Sequence, residues 1–111
     1  MDNIKNDNYY LNKILSDAEF IINHTKDLTQ IEFESDEVLV DSMLFRIIQI
    51  AENSDKLSAD FKDKHNELPW RDIKGMRNRI VHDYGVVDLS IIYETVSQSV
   101  PELYAILEAI V

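Results

Sequence analysis

Arg77, Asn78, His82 and Tyr84 place a permanent cation, an amide, an imidazole and a phenol within one short stretch of the chain. Arginine keeps its charge and offers a planar donor fork suited to phosphate oxygens, so Arg77 is a candidate for holding a phosphodiester and stabilising its transition state. Histidine ordinarily titrates near neutrality and can serve as base or acid, which makes His82 the candidate for proton transfer. Such a pair suits attack by a ribose 2′-hydroxyl on its neighbouring phosphate. The hydroxyl loses a proton, the phosphorane charge is held, and the leaving 5′-oxygen gains a proton. In that chemistry the nucleophile belongs to the substrate, so no metal would be needed to activate water and the ends would be a 2′,3′-cyclic phosphate and a 5′-hydroxyl. Asn78 is placed to orient His82 or to bind RNA, while Lys74 and Arg79 would add backbone affinity without sequence information.

These residues need a helix to position them. The stretch Leu68-Pro69-Trp70 reads as a helix start with Pro in the first turn, and the element runs to about Asp83. On it Asn78 and His82, four apart, share a face, with Gly75 near the same stripe, where a glycine admits the close approach of another backbone. Arg77 shares the neighbouring stripe with Ile73, Ile80 and Tyr84. Arg77 and His82 lie about 140° apart on an ideal helix, so reach of the arginine, distortion near Gly85 or a second copy of the helix must bring them together. Charge is also concentrated here. Four cations against two acids from Trp70 to Tyr84 leave this stretch at +2 and the rest of the chain at −12, for a net charge of −10.

The remaining sequence is helical in its periodicity and short of breakers, with two Gly and two Pro in 111 residues. A first helix is expected from about Asn8 to Thr25, its stripe running through Leu11, Ile14, Leu15, Ala18, Ile21 and Ile22, with Asp27 to Glu34 as a connector. Ser35 is expected to cap a long helix from about Asp36 to Leu57. That helix carries two apolar stripes, Leu39/Met43/Ile47/Ile50 and Val40/Leu44/Ile48, which fit either a partner copy or central burial in one chain. A short helix capped by Ser58 follows, to about Lys64. Beyond the motif, Gly85 is expected in the left-handed conformation, Asp88 caps a helix through Leu89, Ile92, Tyr93, Val96 and Val100, and Pro101 starts a final helix or a kinked continuation to Ile110. The expected fold is all-α, an up-and-down bundle of about five helices plus a short one, in a single domain spanning residues 1–111.

Composition excludes several chemistries. Without cysteine there is no disulfide, thiolate zinc site or cysteine nucleophile, and the cytoplasm is the expected compartment. Two separate glycines cannot form a phosphate-cradling nucleotide loop. No run approaches the length of a membrane span, so no membrane is expected. Ile21, Lys62 and Arg79 stand three before the histidines, where a bundle metal site would want Glu, so neither metal nor cofactor is expected. His24 and His65 read as surface or helix-end residues, and Trp70 and Met76 as core. The acidic balance argues against general nucleic-acid binding and confines any such role to the basic helix.

The string Arg77-Asn78-Arg79-Ile80-Val81-His82-Asp83-Tyr84, preceded by Pro69-Trp70-Arg71-Asp72-Ile73 and Lys74-Gly75-Met76 and followed by Gly85-Val86-Val87-Asp88, resembles the Arg-x4-His-x-Tyr segment of the HepT-like branch of the HEPN superfamily. Helix order and chain size agree with that branch from about residue 8 to residue 105. The resemblance implies a metal-independent endoribonuclease toxin of a prokaryotic toxin–antitoxin pair, working as a homodimer whose two motifs share a cleft. It also implies a minimal nucleotidyltransferase as antitoxin, which silences the toxin by transferring AMP to Tyr84. Without those flanks, Arg77 reads as a surface or interface salt-bridge residue and His82 as a helix C-terminal histidine placed near the negative end of the dipole. A second function therefore stands beside the first: a non-catalytic helical module that partners the nucleotidyltransferase or binds RNA or nucleotide without turnover.

Overall fold

The long apolar stripes at the two ends of the first half of the sequence find each other. The computed structural model describes residues 6–111, except for the side chain of Tyr84. In it α1 (Asp7–Thr25) and α3 (Glu37–Asp55) lie antiparallel along the centre of the molecule. Leu11, Ile14, Ala18 and Ile21 interleave with Val40, Met43, Leu44, Ile47 and Ile50, all buried. A polar tie crosses this seam: the Arg46 guanidinium donates to Asp17 Oδ1 at 2.7 Å and lies 3.8 Å from the centre of the Phe20 ring. Each of the other helices packs on this pair or on a helix that does. Among the described residues there is no strand, and no helix is long and apolar enough to cross a membrane.

The connector expected between Asp27 and Glu34 is instead partly helical, as α2 (Gln30–Glu34). A reciprocal cap explains it: Thr29 Oγ1 accepts from the Glu32 amide at 3.1 Å, and the Thr29 amide donates to the Glu32 carboxylate at 2.9 Å. Phe33 gives this single turn an anchor with no exposed surface, packed against the Tyr93 ring. Ser35 closes α2 through a hydroxyl bond to the Ile31 carbonyl, so the cap of α3 falls to Asp36, whose carboxylate accepts from the Leu39 amide at 3.0 Å. Both stripes of α3 pack within the protomer, between α1 on one side and α5 on the other. Central burial thus accounts for the doubled pattern, and the stripes themselves carry no argument for a second copy.

After α4 (Ala59–Lys64), capped by Ser58 as expected, the chain turns into α5 (Trp70–His82). Pro69 precedes that helix rather than opening it. Its φ of −84° and ψ of 62°, with the Trp70 amide bonded to the Leu68 carbonyl at 2.9 Å, form an inverse γ-turn. A 3-10 turn, Tyr84–Val86, leads to α6 (Leu89–Glu94), capped by Asp88. No glycine among the described residues is left-handed; the positive φ, 68°, belongs to Asp27 at the end of α1. Asp83 and Val86 close a right-handed turn across Gly85, with the Val86 amide bonded to the Asp83 carbonyl at 2.8 Å, so the glycine is not asked to reverse the chain.

Pro101 does not break the last helical run. A π-helical turn, Thr95–Ser99, joins α6 to α7 (Val100–Ile110) with right-handed dihedrals throughout. Proline lacks an amide donor and crowds the carbonyl four residues back, and the wider turn just before it relieves that clash. Tyr93 fastens this run to the α1–α2 corner by donating its hydroxyl to the Leu28 carbonyl at 2.7 Å.

Candidate active site

α5 packs along α3 but buries few of its side chains completely. Ile80 is its one fully buried side chain among the described residues, with Ile73 and Met76 half-buried against the core. Trp70 anchors its start: the indole N–H donates to the His65 carbonyl at 3.1 Å and the ring meets Phe61. Two ion pairs clamp its side to α3 in antiparallel order, Lys74 to Asp55 at 3.9 Å and Arg77 to Glu52 at 3.0 Å.

Glu52 is the member of this site that the sequence did not disclose. Arg77 Nε donates to Glu52 Oε2 at 3.0 Å, Nη2 stands 3.0 Å from the same oxygen in an ion pair, and Nη1 donates to Asn78 Oδ1 at 3.1 Å. With five N–H groups on a guanidinium, one on each terminal nitrogen stays unused by Glu52 and Asn78. The Arg77 and Glu52 side chains are 36% and 43% exposed, and pairs this open to water contribute about 0.2–1 kcal/mol. The contact therefore orients the guanidinium without locking it, and a phosphate can compete for the fork. The only sequence signal for Glu52 was its acid character at the end of a long helix, which says nothing about the register of that helix against α5.

His82 is the last residue of α5 and is exposed, as are Lys74, Asn78 and Arg79. The helix is regular up to His82, and the Asp83 amide still bonds to the Arg79 carbonyl at 2.9 Å. Distortion near Gly85 therefore does not bring Arg77 and His82 together. Among the described residues no hydrogen bond joins His82 to Arg77 or to Asn78, and Asn78 turns to Arg77 instead. A methyl group at Gly75 would meet nothing within 4 Å, so the close backbone approach expected there is not made within the protomer. Tyr84 opens the 3-10 turn directly after α5, but its side chain lies outside the described ones.

Immediately downstream, the Asp88 carboxyl is held below the usual carboxylate range, first by the Ser90 hydroxyl and then by the Ser90 amide, with a smaller attraction from Arg79. A depressed pKa stabilises the folded state above the ordinary carboxylate range and loses that stabilisation as pH falls through the folded value, so this cap persists into mild acid. His24 bonds its Nδ1 to the Phe20 carbonyl at 2.8 Å and stacks on the Phe20 ring, and His65 ends α4. Neither joins the motif. Among the described residues no three His, Cys, Asp or Glu side chains are grouped to hold a metal ion.

Comparison with known proteins places the chain as a whole. The model of the Ribonuclease HepT-like family matches residues 14–110. A protein of Caldanaerobacter subterraneus subsp. tengcongensis with a provisional RNase name is 36% identical over 94 residues, covering 85% of this chain and 84% of its own. A protein of Thermococcus cleftensis, provisionally named ribonuclease HepT, is 31% identical over 94 residues, covering 85% and 86%. A third, from Methanocaldococcus jannaschii and again with a provisional RNase name, is 30% identical over 102 residues, covering 92% and 88%. No solved structure matches. From a family match spanning nearly the whole chain, and from relatives this similar along most of their own length, the chain belongs to the HepT-like ribonuclease family.

Proposed function

We propose that this chain is a metal-independent endoribonuclease of toxin type, acting in the cytoplasm as a homodimer of a single domain. The observation that carries the reading is the half-exposed Arg77 fork, steered by Glu52 and Asn78 on a basic helix that ends in exposed His82. Arg77 holds the scissile phosphate. The 2′-oxygen forms a bond to phosphorus as its proton passes to a histidine, the bond from phosphorus to the 5′-oxygen breaks, and that oxygen takes a proton from an imidazolium. A second copy of the motif supplies the other His82 and removes the need for one helix to bend Arg77 onto its own histidine. Lys74 and Arg79 attract the RNA backbone, which the −10 charge of the chain otherwise repels.

Control of such a site fits Tyr84, two residues beyond His82. A nucleotidyltransferase antitoxin moves AMP from a nucleoside triphosphate to the phenol oxygen, with pyrophosphate leaving. The added bulk and negative charge stand where an RNA phosphate must bind. Purified protein, shown by intact mass to be unmodified, is expected to cut RNA in EDTA and leave cyclic phosphate and 5′-hydroxyl ends. The adenylylated form is expected to be inactive. An adenylylated sample that cuts as fast as the unmodified one refutes the regulation, and intact RNA with the unmodified dimer moves the assignment to the non-catalytic binding module.

A further inference from the structure

A groove lies on the side of α5 roughly opposite its basic residues, as 3.6-residue periodicity requires of positions such as 72, 73 and 76 against 74, 78 and 82. Its volume is about 430 Å³. One wall is α5, through Asp72, Ile73 and Met76, and the other is α7, through Glu102, Leu103 and Ile106. Ile47 and Ile50 of α3 form the floor, and the widened π-turn before Pro101 contributes Thr95 and Ser99 at one end. Each wall thus offers a stripe at i, i+3, i+4 and i+7, counting Pro69 on α5 and Ser99 on α7. That spacing is how two helices cradle a third. None of Arg77, Asn78 and His82 lines the groove.

Its charge is one-sided. Glu67, Asp72 and Glu102 stand around the apolar floor, and among the described residues no lysine or arginine lines it. A nucleic acid is therefore repelled here. A second copy docked about a two-fold axis through this groove would set the same three acids against their own counterparts. An occupant with an apolar stripe flanked by cations satisfies both the floor and the rim.

We infer that the groove between α5 and α7 is a docking site for a basic amphipathic helix of a partner protein. Seated there, the helix places aliphatic side chains over Ile47 and Ile50, and its lysines or arginines pair with Asp72 and Glu102. It grips the motif helix from behind and leaves the Arg77–His82 side open. This site stands apart from the ribonuclease reading, and loss of RNA cleavage has no bearing on it.

Two synthetic peptides test it by fluorescence anisotropy, both with Leu at i, i+3, i+4 and i+7, one with Lys and the other with Glu at the flanking positions. The Lys peptide is expected to bind the wild-type protein at one site, and the Glu peptide not to bind. Asp72→Lys with Glu102→Lys is expected to weaken the Lys peptide by about tenfold or more, as is Ile106→Asp at the open edge of the groove. Glu19→Lys with Asp60→Lys, an equal charge change away from the groove, is expected to leave binding within about twofold. Thermal melts of all variants confirm that they fold. Absence of Lys-peptide binding overturns the proposal, and equal weakening by the two charge reversals overturns it as general attraction to an acidic protein. Self-association of the wild type that Ile106→Asp abolishes, without peptide binding, reassigns the groove to copy-to-copy contact.

Discussion

The α1–α3 seam and α5 are both helical, but different forces hold them. Along the seam Ile14, Ala18, Ile21 and Met43 have no exposed surface, and the ion pair of Asp17 with Arg46 is mostly shielded. On α5 Ile80 alone is fully buried among the described residues, and the ion pairs to α3 are open to water. The seam supplies stability through burial, whereas α5 spends most of its surface on exposed cations and His82. The contrast separates the residues that keep the fold from those that would meet a substrate.

The comparison can be broken at its strong end first. Ile14→Ala removes a fully buried side chain from the seam and is expected to destabilise the protein by about 2–5 kcal/mol, read from the shift of a urea melt. A cost under about 1 kcal/mol would mean that the seam is not the main source of stability. Asp17→Asn leaves Arg46 without its charged acceptor in a partly dry seam, and a loss of about 1–3 kcal/mol is expected in the same melt. The smallest change in stability belongs to α5. Lys74→Ala together with Arg79→Ala is expected to move the melt by only about 0.5 kcal/mol. The same pair of changes weakens RNA binding and flattens its salt dependence, checked by titration at several salt concentrations.

The two helices of the seam, though not their pairing, were readable because long stripes repeat at helical spacing, and the caps at Ser58 and Asp88 were readable because their side chains act on their own turn. The α2 turn was written in the same local code, Thr29-x-x-Glu32, but five residues of helix fall below what periodicity detects. Gly85 misled because glycine permits a left-handed turn without requiring one, while Asp27, a residue that tolerates that conformation, adopted it. Glu52 was invisible for another reason. Its bond to Arg77 spans 25 residues and depends on how α3 and α5 slide against each other, which no local pattern records. The groove between α5 and α7 depends on tertiary placement in the same way.

The central claim is that the exposed side of α5 is a nuclease centre, and the direct measurement is RNA cleavage in EDTA by unmodified wild-type protein, Arg77→Ala and His82→Ala, with a melt for each. Both variants are expected to lose about 100-fold or more of the cleavage rate while melting within about 1 kcal/mol of the wild type. Cleavage by either variant at the wild-type rate would contradict the account.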